Sequence, residues 1–342
     1  MHEAGSIISE VAADFRDNWQ IPSFDRYDAA FHALGYPMGE IYKRLELNPR
    51  QFSEIKSGIF AADFLNILRE IIDRTNDNCV GIKLGQMRPI NKIGTRFYIA
   101  FFSNTLRSAL NDFLFYTSLE IPFFKIKMEE RETEAKIIFE YDICSPLISY
   151  EFDVDLITVV NLIRELLLRP EWSPKSVSSK YSIEPGRSDA LAALVHRPLD
   201  KDAASNCITF SSDILDEGIK FSDPLAKGIM IDAFYKRLNE MYSGYSYAVR
   251  TAFFLAKYFD YNNEIVDLNL VASSFNLSVS AYQRELVKEG SSFRKIKSDF
   301  IFKLATLLIA NDLGYDYMSK ILGYSTPHSL ARFLENQKSL LD

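Results

Sequence analysis

The chain has 342 residues, of which 47% are apolar and 25% charged, and its formal net charge is −7 at pH 7. These values are those of a globular protein with two or three domains, and they exclude a disordered or low-complexity chain. Apolar runs far shorter than the ~20 residues of a membrane span, the lack of a signal-peptide pattern and three widely spaced cysteines predict a cytoplasmic protein without a disulfide framework.

The region upstream of residue 224 has the pattern of a mixed α+β domain. Apolar residues recur at helical spacing in residues 25–34, 38–44, 61–74, 106–116 and 155–168. Residues 123–129 and 134–141 alternate apolar and polar side chains around charged turn residues, which predicts a β-hairpin. Residues 176–183 and 207–210 are further strand candidates. We therefore expect helices packed on an antiparallel sheet.

Aromatic residues are densest at 97–102, where the sequence is Phe-Tyr-Ile-Ala-Phe-Phe. A pocket for an apolar effector needs such a lining. An ordinary hydrophobic core uses the same residues, and a core is our expectation for this segment. The sequence identifies no individual pocket residue.

Residues 225–241 are a further helix candidate, with apolar residues at Ile229, Ile231, Phe234, Leu238 and Met241. This pattern suits dimerisation, docking between domains or an ordinary packed helix, and the sequence leaves these alternatives open. We place an effector or regulatory domain at 1–224, a linker helix at 225–245 and an all-α domain at 246–342.

Residues 268–289 predict a helix-turn-helix unit. Its first helix has an apolar stripe formed by Leu268, Val271, Ala272 and Phe275. Asn276 is suited to a left-handed turn, and Ser278 is a good N-cap for the second helix. On that helix Tyr282 and Leu286 are expected to face inward. The outer face then carries Ser280, Ala281, Gln283, Arg284 and Lys288.

Residues 315–335 repeat this pattern. The inward stripe is predicted at Tyr315, Met318, Ser319 and Leu322. Gly323 supplies the positive-φ turn residue, Ser325 or Thr326 caps the second helix, and Pro327 takes its first position. The inward residues of that helix are Leu330 and Leu334, and its outward residues are His328, Ser329, Ala331 and Arg332.

Residues 293–311 predict a long helix that connects the two units. Its basic residues, which are candidate phosphate contacts, are Arg294, Lys295, Lys297 and Lys303. From Tyr245 onward the sequence has 11 Lys and Arg against 10 Asp and Glu, whereas the remainder has 28 against 36. The acidic charge therefore belongs to the upstream region. A nearly neutral C-terminal region can neutralise few phosphates, which predicts a weak dependence of any nucleic-acid affinity on salt.

A duplicated helix-turn-helix predicts that two helices enter the major groove of double-stranded DNA, roughly 34 Å apart if both lie on one face. Arginine can hydrogen-bond guanine with two donors and glutamine can pair similarly with adenine, each worth roughly 1–3 kcal/mol of discrimination. We therefore expect Gln283, Arg284 and Arg332 to contact DNA. Contact with DNA and a solvated helix face are equal alternatives for His328.

The C-terminal region resembles the DNA-binding domain of the AraC/XylS transcription regulators. In the first unit the residues that carry this resemblance are Val271-Ala272, Leu277-Ser278, Gln283-Arg284, Leu286 and Gly290-Ser291-Ser292-Phe293. In the second unit they are Ala305, Leu307-Leu308, Leu322-Gly323-Tyr324-Ser325, Pro327 and Arg332. The resemblance implies base-facing positions at Ser280, Gln283, Arg284, His328, Ser329 and Arg332. Asn276 replaces the usual turn glycine, and Ser319 replaces the usual alanine.

Residues 27 to 219 resemble the N-terminal effector domain of AraC-type regulators of the ornithine-utilisation kind. The motifs are Gly35-Tyr36-Pro37, Thr75-Asn76-Asp77-Asn78, Gly81-Ile82-Lys83-Leu84-Gly85, Thr105-Leu106-Arg107-Ser108-Ala109-Leu110, Trp172-Ser173-Pro174 and Asn206-Cys207-Ile208-Thr209-Phe210. The resemblance implies a sequence-specific transcription regulator whose upstream domain senses a ligand or mediates dimerisation. The implied partners are double-stranded DNA, a small-molecule effector, a second copy of the chain and, for an activator, RNA polymerase.

Enzyme signatures are weak in this sequence. The histidines, which have no spacing typical of a metal site or a catalytic triad, are His2, His32, His196 and His328. Residues 81–85 lack the Gly-Lys-Ser/Thr ending of a phosphate-binding loop. We therefore predict no catalytic residues, no cofactor and no metal. Two alternatives to DNA binding are a protein-interaction module with weakened DNA binding and a ligand-binding protein with a vestigial DNA domain.

Overall fold

The structure is a computed structural model that describes residues 20–21, 24–49, 59–87, 94–121 and 123–338. The described residues fall into two compact units, an N-terminal unit up to Phe234 and a C-terminal unit from Tyr235 onward. Each unit is described by itself below. Within the described residues no helix is long and apolar enough to cross a membrane. The same residues contain no group of three or more His, Cys, Asp or Glu side chains placed to hold a metal ion.

Helices form one layer of the N-terminal unit. They are α1 (Phe24–Ala33), α2 (Met38–Arg44), α3 (Ala61–Thr75), α4 (Val80–Met87), α5 (Thr95–Phe101), α6 (Leu106–Glu120), α7 (Ile148–Leu167), α8 (Pro185–Val195) and the first part of α9 (Pro224–Met241). Helical periodicity therefore located α1, α2, α3, α6, α9 and the second half of α7. It did not predict α4, α5 or α8.

A five-stranded sheet forms the other layer, in the order β3-β4-β7-β5-β6. Its strands are β3 (Phe124–Glu130), β4 (Glu134–Tyr141), β5 (Ser176–Ser178), β6 (Leu199–Asp200) and β7 (Asn206–Ser211). The short strands β1 (Gln20–Ile21) and β2 (Ile59–Phe60) pair separately. Strands β3 and β4 form the predicted antiparallel hairpin. The strand expected at 176–183 ends at Ser178, because the chain turns there and hydrogen-bonds through Ser179. The expected α+β class is confirmed.

Helix α7 is buried along most of its length and packs closely against α4 and the sheet. A Cβ atom added at Gly81 of α4 would lie 2.2 Å from the Tyr150 carbonyl oxygen. Glycine is required at this position because any side chain would force the two helices apart. On the sheet side, the Phe152 ring meets the Phe139 ring edge to face at a centroid distance of 5.6 Å. The two glycines of residues 81–85 therefore serve helix packing.

A buried ion pair joins α7 to α8. The Arg187 guanidinium donates to the Asp153 carboxylate at 2.7 Å and to the Ser149 carbonyl oxygen at 2.6 Å, and its plane lies over the Tyr150 ring. Burial raises the pKa of Asp153 to about 6, although the neighbouring guanidinium opposes that shift. The pair fixes α8 on the helical layer.

The aromatic segment 97–102 begins within α5. Phe97, Ile99 and Ala100 are buried, as expected for core residues, whereas Tyr98 is exposed. The helix period explains this division, because Tyr98 lies on the opposite side of α5 from the residues that pack inward.

The C-terminal unit is helical. It contains the second part of α9, α10 (Tyr247–Asn262), α11 (Leu268–Ser274), α12 (Val279–Lys288), α13 (Phe293–Ala310), α14 (Tyr315–Ile321) and α15 (Pro327–Lys338). Helices α11 and α12 form the first helix-turn-helix unit, α14 and α15 form the second, and α13 connects them. The predicted all-α architecture of this region is confirmed.

Candidate nucleic-acid interface

The turn of the first helix-turn-helix unit has the geometry that its sequence predicts. Asn276 has a φ of 54°, in the left-handed region that asparagine tolerates. The amide of Asn239 donates to the Ser274 carbonyl oxygen at 3.0 Å and to the Asn276 side chain at 3.2 Å, which holds the turn in place. Ser278 caps α12, since its hydroxyl accepts from the Ala281 N–H at 3.3 Å.

The inner face of α12 is held against α10. Tyr282 and Leu286 are fully buried. The Tyr282 ring stacks on Phe275 at a centroid distance of 5.2 Å, and its hydroxyl shares a 2.5 Å hydrogen bond with Thr251. Burial raises the pKa of Tyr282 to about 12. These contacts fix the rotation of α12 about its own axis and therefore decide which residues point outward.

The end of α12 is tied to the start of α10. The Glu289 carboxylate accepts from the Tyr247 N–H at 2.7 Å and from the Ala248 N–H at 2.9 Å. A carboxylate satisfies the free N–H groups of a helix start and interacts favourably with the helix dipole. Glu289 therefore acts as a capping residue, and its negative charge is used within the unit.

Two basic residues of this unit are half-buried or buried. The Arg250 guanidinium lies over the Phe275 ring at 4.8 Å and donates to the Asn239 side chain, and burial lowers its pKa. Lys257 is almost fully buried. The exposed positive charge is thus smaller than the count of basic residues in the sequence indicates.

The outer face of α12 carries the residues that the sequence predicts. Ser280, Gln283, Arg284 and Lys288 are exposed, and Ala281 is half-buried. The Lys288 ammonium pairs with the Glu285 carboxylate at 2.7 Å. Among the described residues, the side chains of Gln283 and Arg284 have no hydrogen-bond or ion-pair partner, so both are free to bind another molecule.

Sequence reasoning missed one residue of this face, Val287, whose side chain is 69% exposed. It was missed because an apolar residue is expected to be buried. The signal that identifies it is positional, since 280, 283, 284 and 287 follow the i, i+3, i+4, i+7 spacing of one helix face.

The second unit repeats the turn with one more residue. Gly323 has a φ of 76°, and Thr326, three residues later, is the cap of α15. The Ser329 N–H donates to the Thr326 hydroxyl at 3.1 Å, and the Ser329 hydroxyl donates back to the Thr326 carbonyl oxygen at 2.7 Å. The cap is therefore Thr326 rather than Ser325. The Ser329 hydroxyl, predicted to face bases, is used in this capping arrangement.

The inner face of the second unit agrees with the prediction except at Tyr315. Met318, Ser319, Leu322, Leu330 and Leu334 are buried. Tyr315 was expected in this stripe but is 42% exposed. It is the first residue of α14, and only the second turn of that short helix is packed. The ring of Tyr324 in the turn contacts Phe333 at a centroid distance of 5.5 Å.

The outer faces of α12 and α15 correspond residue by residue at a spacing of 48 positions. Buried Tyr282 and Leu286 match Leu330 and Leu334. The outward pairs are Ser280 with His328, Gln283 with Ala331, Arg284 with Arg332 and Val287 with Glu335. His328, Arg332 and Glu335 are exposed, and Ser329 and Ala331 are half-buried. Arginine is the one residue type that the two outer faces share at a matched position.

The start of α13 carries the predicted phosphate contacts. Ser292 caps this 18-residue helix, because its hydroxyl accepts from the Lys295 N–H at 3.2 Å. Arg294 and Lys295 are exposed, and Lys297 is partly exposed with its ammonium near the Phe293 ring. Basic side chains at a helix N-terminus, where the dipole is positive, are typical of anion contacts.

A cavity of about 310 Å³ lies between α10 and α13 in the same unit. Its lining is mostly apolar, with residues such as Val249, Ile296 and Phe300. The lining also includes the charged residues Lys295, Asp299 and Lys303. Lys303, the remaining candidate phosphate contact, lies two helical turns after Lys295 on α13.

The chain combines an α+β N-terminal unit with a helical C-terminal unit that contains two helix-turn-helix motifs. A family model described as the arabinose-binding domain of the AraC transcription regulator matches residues 35–219, more than half of the chain. The chain therefore belongs to the AraC family of transcription regulators, which confirms the resemblance seen in its motifs.

The chain is similar to the solved structure of the transcriptional regulator CdpR from Pseudomonas aeruginosa. The two sequences are 15% identical, and the match covers 89% of this chain and 94% of that chain with a TM-score of 0.45. A search of curated proteins found no match.

Proposed function

We propose that this transcription regulator binds double-stranded DNA sequence-specifically, with α12 and α15 as its recognition helices. The observation that carries the proposal is that the outer faces of α12 and α15 occupy matched positions and that each has an exposed arginine at the same one, Arg284 and Arg332. Neither arginine has an ion-pair partner among the described residues. A free guanidinium on the exposed face of a helix-turn-helix is suited to guanine.

The proposed roles follow from chemistry and position. Gln283 and Arg284 contact base edges from α12, with Ser280 one turn earlier and Ala281 and Lys288 at the margins. His328 and Arg332 contact bases from α15, and Ser329 acts mainly through the cap of that helix. Phosphates are contacted by Arg294, Lys295 and Lys297, whose side chains lie at the start of α13.

The N-terminal unit is proposed to sense a small-molecule effector or to mediate dimerisation, and an activator would also contact RNA polymerase. Dimerisation is supported by an exposed apolar stripe at the start of α9. Leu225 is 77% exposed and Ile229 is 56% exposed. Of the apolar positions predicted on this helix, Phe234 and Leu238 are buried instead. We retain 1–224, 225–245 and 246–342 as the proposed functional regions.

The test is selection of bound sites from random DNA with the full chain, followed by fluorescence anisotropy on the selected site. Arg284→Ala should weaken binding and relax base choice at one position. Lys236→Ala, which removes one exposed positive charge from α9, is the matched control and should leave base choice unchanged. Unchanged affinity and preference in both Gln283→Ala and Arg284→Ala would contradict the recognition-helix assignment.

Salt dependence tests the phosphate contacts separately. Three neutralised phosphates predict a log–log slope of affinity against salt of roughly −3, because each contributes about −0.9. Arg294→Ala should reduce that slope by about one and weaken binding to all sequences alike. Salt-insensitive titrations together with a stable protein complex would contradict DNA binding and favour the protein-interaction module.

A further inference from the structure

Val287 occupies an unusual place on the outer face of α12. It lies three residues after Arg284 and four after Gln283, so its side chain is next to both of theirs on the helix surface. It points away from the inner face, where Tyr282 and Leu286 are fully buried. Its exposure therefore follows from the packing of α12 rather than from a loose helix end.

The valine side chain contributes little to the helix itself. A β-branched residue loses rotamer freedom in a helix, and at 69% exposure it gains little from burial. The neighbouring Gln283 and Arg284 offer hydrogen-bond donors, whereas Val287 offers only methyl groups. In the DNA major groove the complementary group is the 5-methyl group of thymine, the apolar feature that distinguishes an A·T pair there.

We propose that Val287 is a specificity-determining residue that contacts the 5-methyl group of a thymine beside the bases read by Gln283 and Arg284. The proposal rests on the DNA-binding function proposed above. The matched position in the second unit is Glu335, whose carboxylate cannot make this contact. The second unit therefore has no equivalent of the Val287 contact at this position.

The test replaces each thymine of the selected DNA site in turn with uracil, which differs only by the missing 5-methyl group. For the full-length wild-type chain, one replacement should weaken binding about fourfold, which corresponds to ~0.8 kcal/mol for one methyl-sized group. In Val287→Ala the thymine and uracil sites should bind equally. Val287→Thr keeps one methyl group and should retain part of the discrimination.

The control is Ile309→Ala, which removes apolar atoms from an exposed residue of α13 and should keep the full thymine preference. The inference is overturned if no uracil replacement affects the wild type, or if Val287→Ala keeps the fourfold difference. In both cases, specific binding that depends on Gln283 and Arg284 would leave the proposed function standing. Failure of the wild type to select any DNA sequence would overturn both.

Discussion

The two helix-turn-helix units share their inner faces and differ on their outer faces. Tyr282 and Leu286 of α12 correspond to Leu330 and Leu334 of α15, and all four are buried. Among the matched outward positions only Arg284 and Arg332 are the same residue type. Packing constrains the inner residues by volume and shape, whereas the outer residues do not fill the core and are free to differ. The two units therefore pack their second helices in the same way but present different side chains on the outer face.

The units also differ in how their second helices are held. Helix α12 is anchored through the Tyr282 hydroxyl on Thr251 and through Glu289 at the start of α10. At the corresponding inner position α15 has Leu330, and its start is fixed by the reciprocal bonds of Thr326 and Ser329. Polar anchors specify direction as well as proximity. We therefore expect the orientation of α12 to depend on side-chain hydrogen bonds and that of α15 on its cap and apolar contacts.

The largest expected effect is a loss of stability from changes to the buried inner faces of the two units. Leu286→Ala and Leu334→Ala should each lower the free energy of unfolding by about 2–5 kcal/mol, because both create a cavity at a buried site. Urea denaturation of the full chain, followed by helical circular dichroism, measures the change. The exposed neighbour Val287→Ala should change it by less than about 0.5 kcal/mol. Equal losses in all three variants would contradict the assigned inner and outer faces.

The next effect distinguishes the DNA contacts of the two outer faces. Arg284→Ala and Arg332→Ala should each weaken DNA binding by roughly 1–3 kcal/mol, because each loses a bidentate contact to a base. Selection of sites from random DNA should show relaxed preference at a different position for each variant. If both variants relax the same position, the two helices do not read separate parts of the site. Circular dichroism of each variant controls for folding.

The division between inner and outer faces was predictable from sequence, because the apolar period, the caps and the turn residues are local signals. Asn276, Ser278 and Gly323 behave as their residue types predict. Ser325 and Thr326 were both candidate caps, and the start of α15 at Pro327 makes the preceding residue, Thr326, the cap. The half-buried position of Arg250 was missed because it depends on Phe275, which the fold brings next to its guanidinium, whereas Lys257 lies near Phe253 of its own helix.

In the N-terminal unit, too, elements with local sequence signals were predicted and elements that depend on tertiary contacts were not. Helix α3 was predicted well because its apolar residues follow a clear period, and all of its inward residues are buried. Helix α4 was missed because it contains Gly81 and Gly85, which are poor helix formers in isolation. Their close approach to α7 provides the reason for glycine there, and that approach exists only in the folded unit.

The anchor of α12 can be tested through its hydroxyl. Tyr282→Phe should lower the free energy of unfolding by about 1 kcal/mol at neutral pH, since it removes the hydrogen bond to Thr251. An unfolded tyrosine has a pKa of about 10, and burial raises the pKa of Tyr282 to about 12. Between these pH values the folded state keeps a proton that the unfolded chain has lost, so stability falls as pH rises.

Tyr282→Phe should therefore reduce the slope of unfolding free energy against pH between about pH 10 and 12. Urea midpoints measured at several pH values give that slope for the wild type and the variant. The matched control is Tyr315→Phe, which removes a tyrosine hydroxyl from an exposed position of the second unit. An unaltered slope in Tyr282→Phe would show that the hydroxyl is not a protected anchor.

The smallest effect concerns the two serines predicted to face bases. Ser329→Ala should lower the free energy of unfolding by about 0.5 kcal/mol, because the Ser329 hydroxyl hydrogen-bonds the Thr326 carbonyl oxygen in the cap. It should leave base preference unchanged. Ser280→Ala should leave the free energy of unfolding unchanged and alter base preference, since the exposed Ser280 hydroxyl has no side-chain partner among the described residues. Urea denaturation measures the stability of both variants, and selection of sites from random DNA measures their base preference. A changed base preference in Ser329→Ala would show that Ser329 contacts bases.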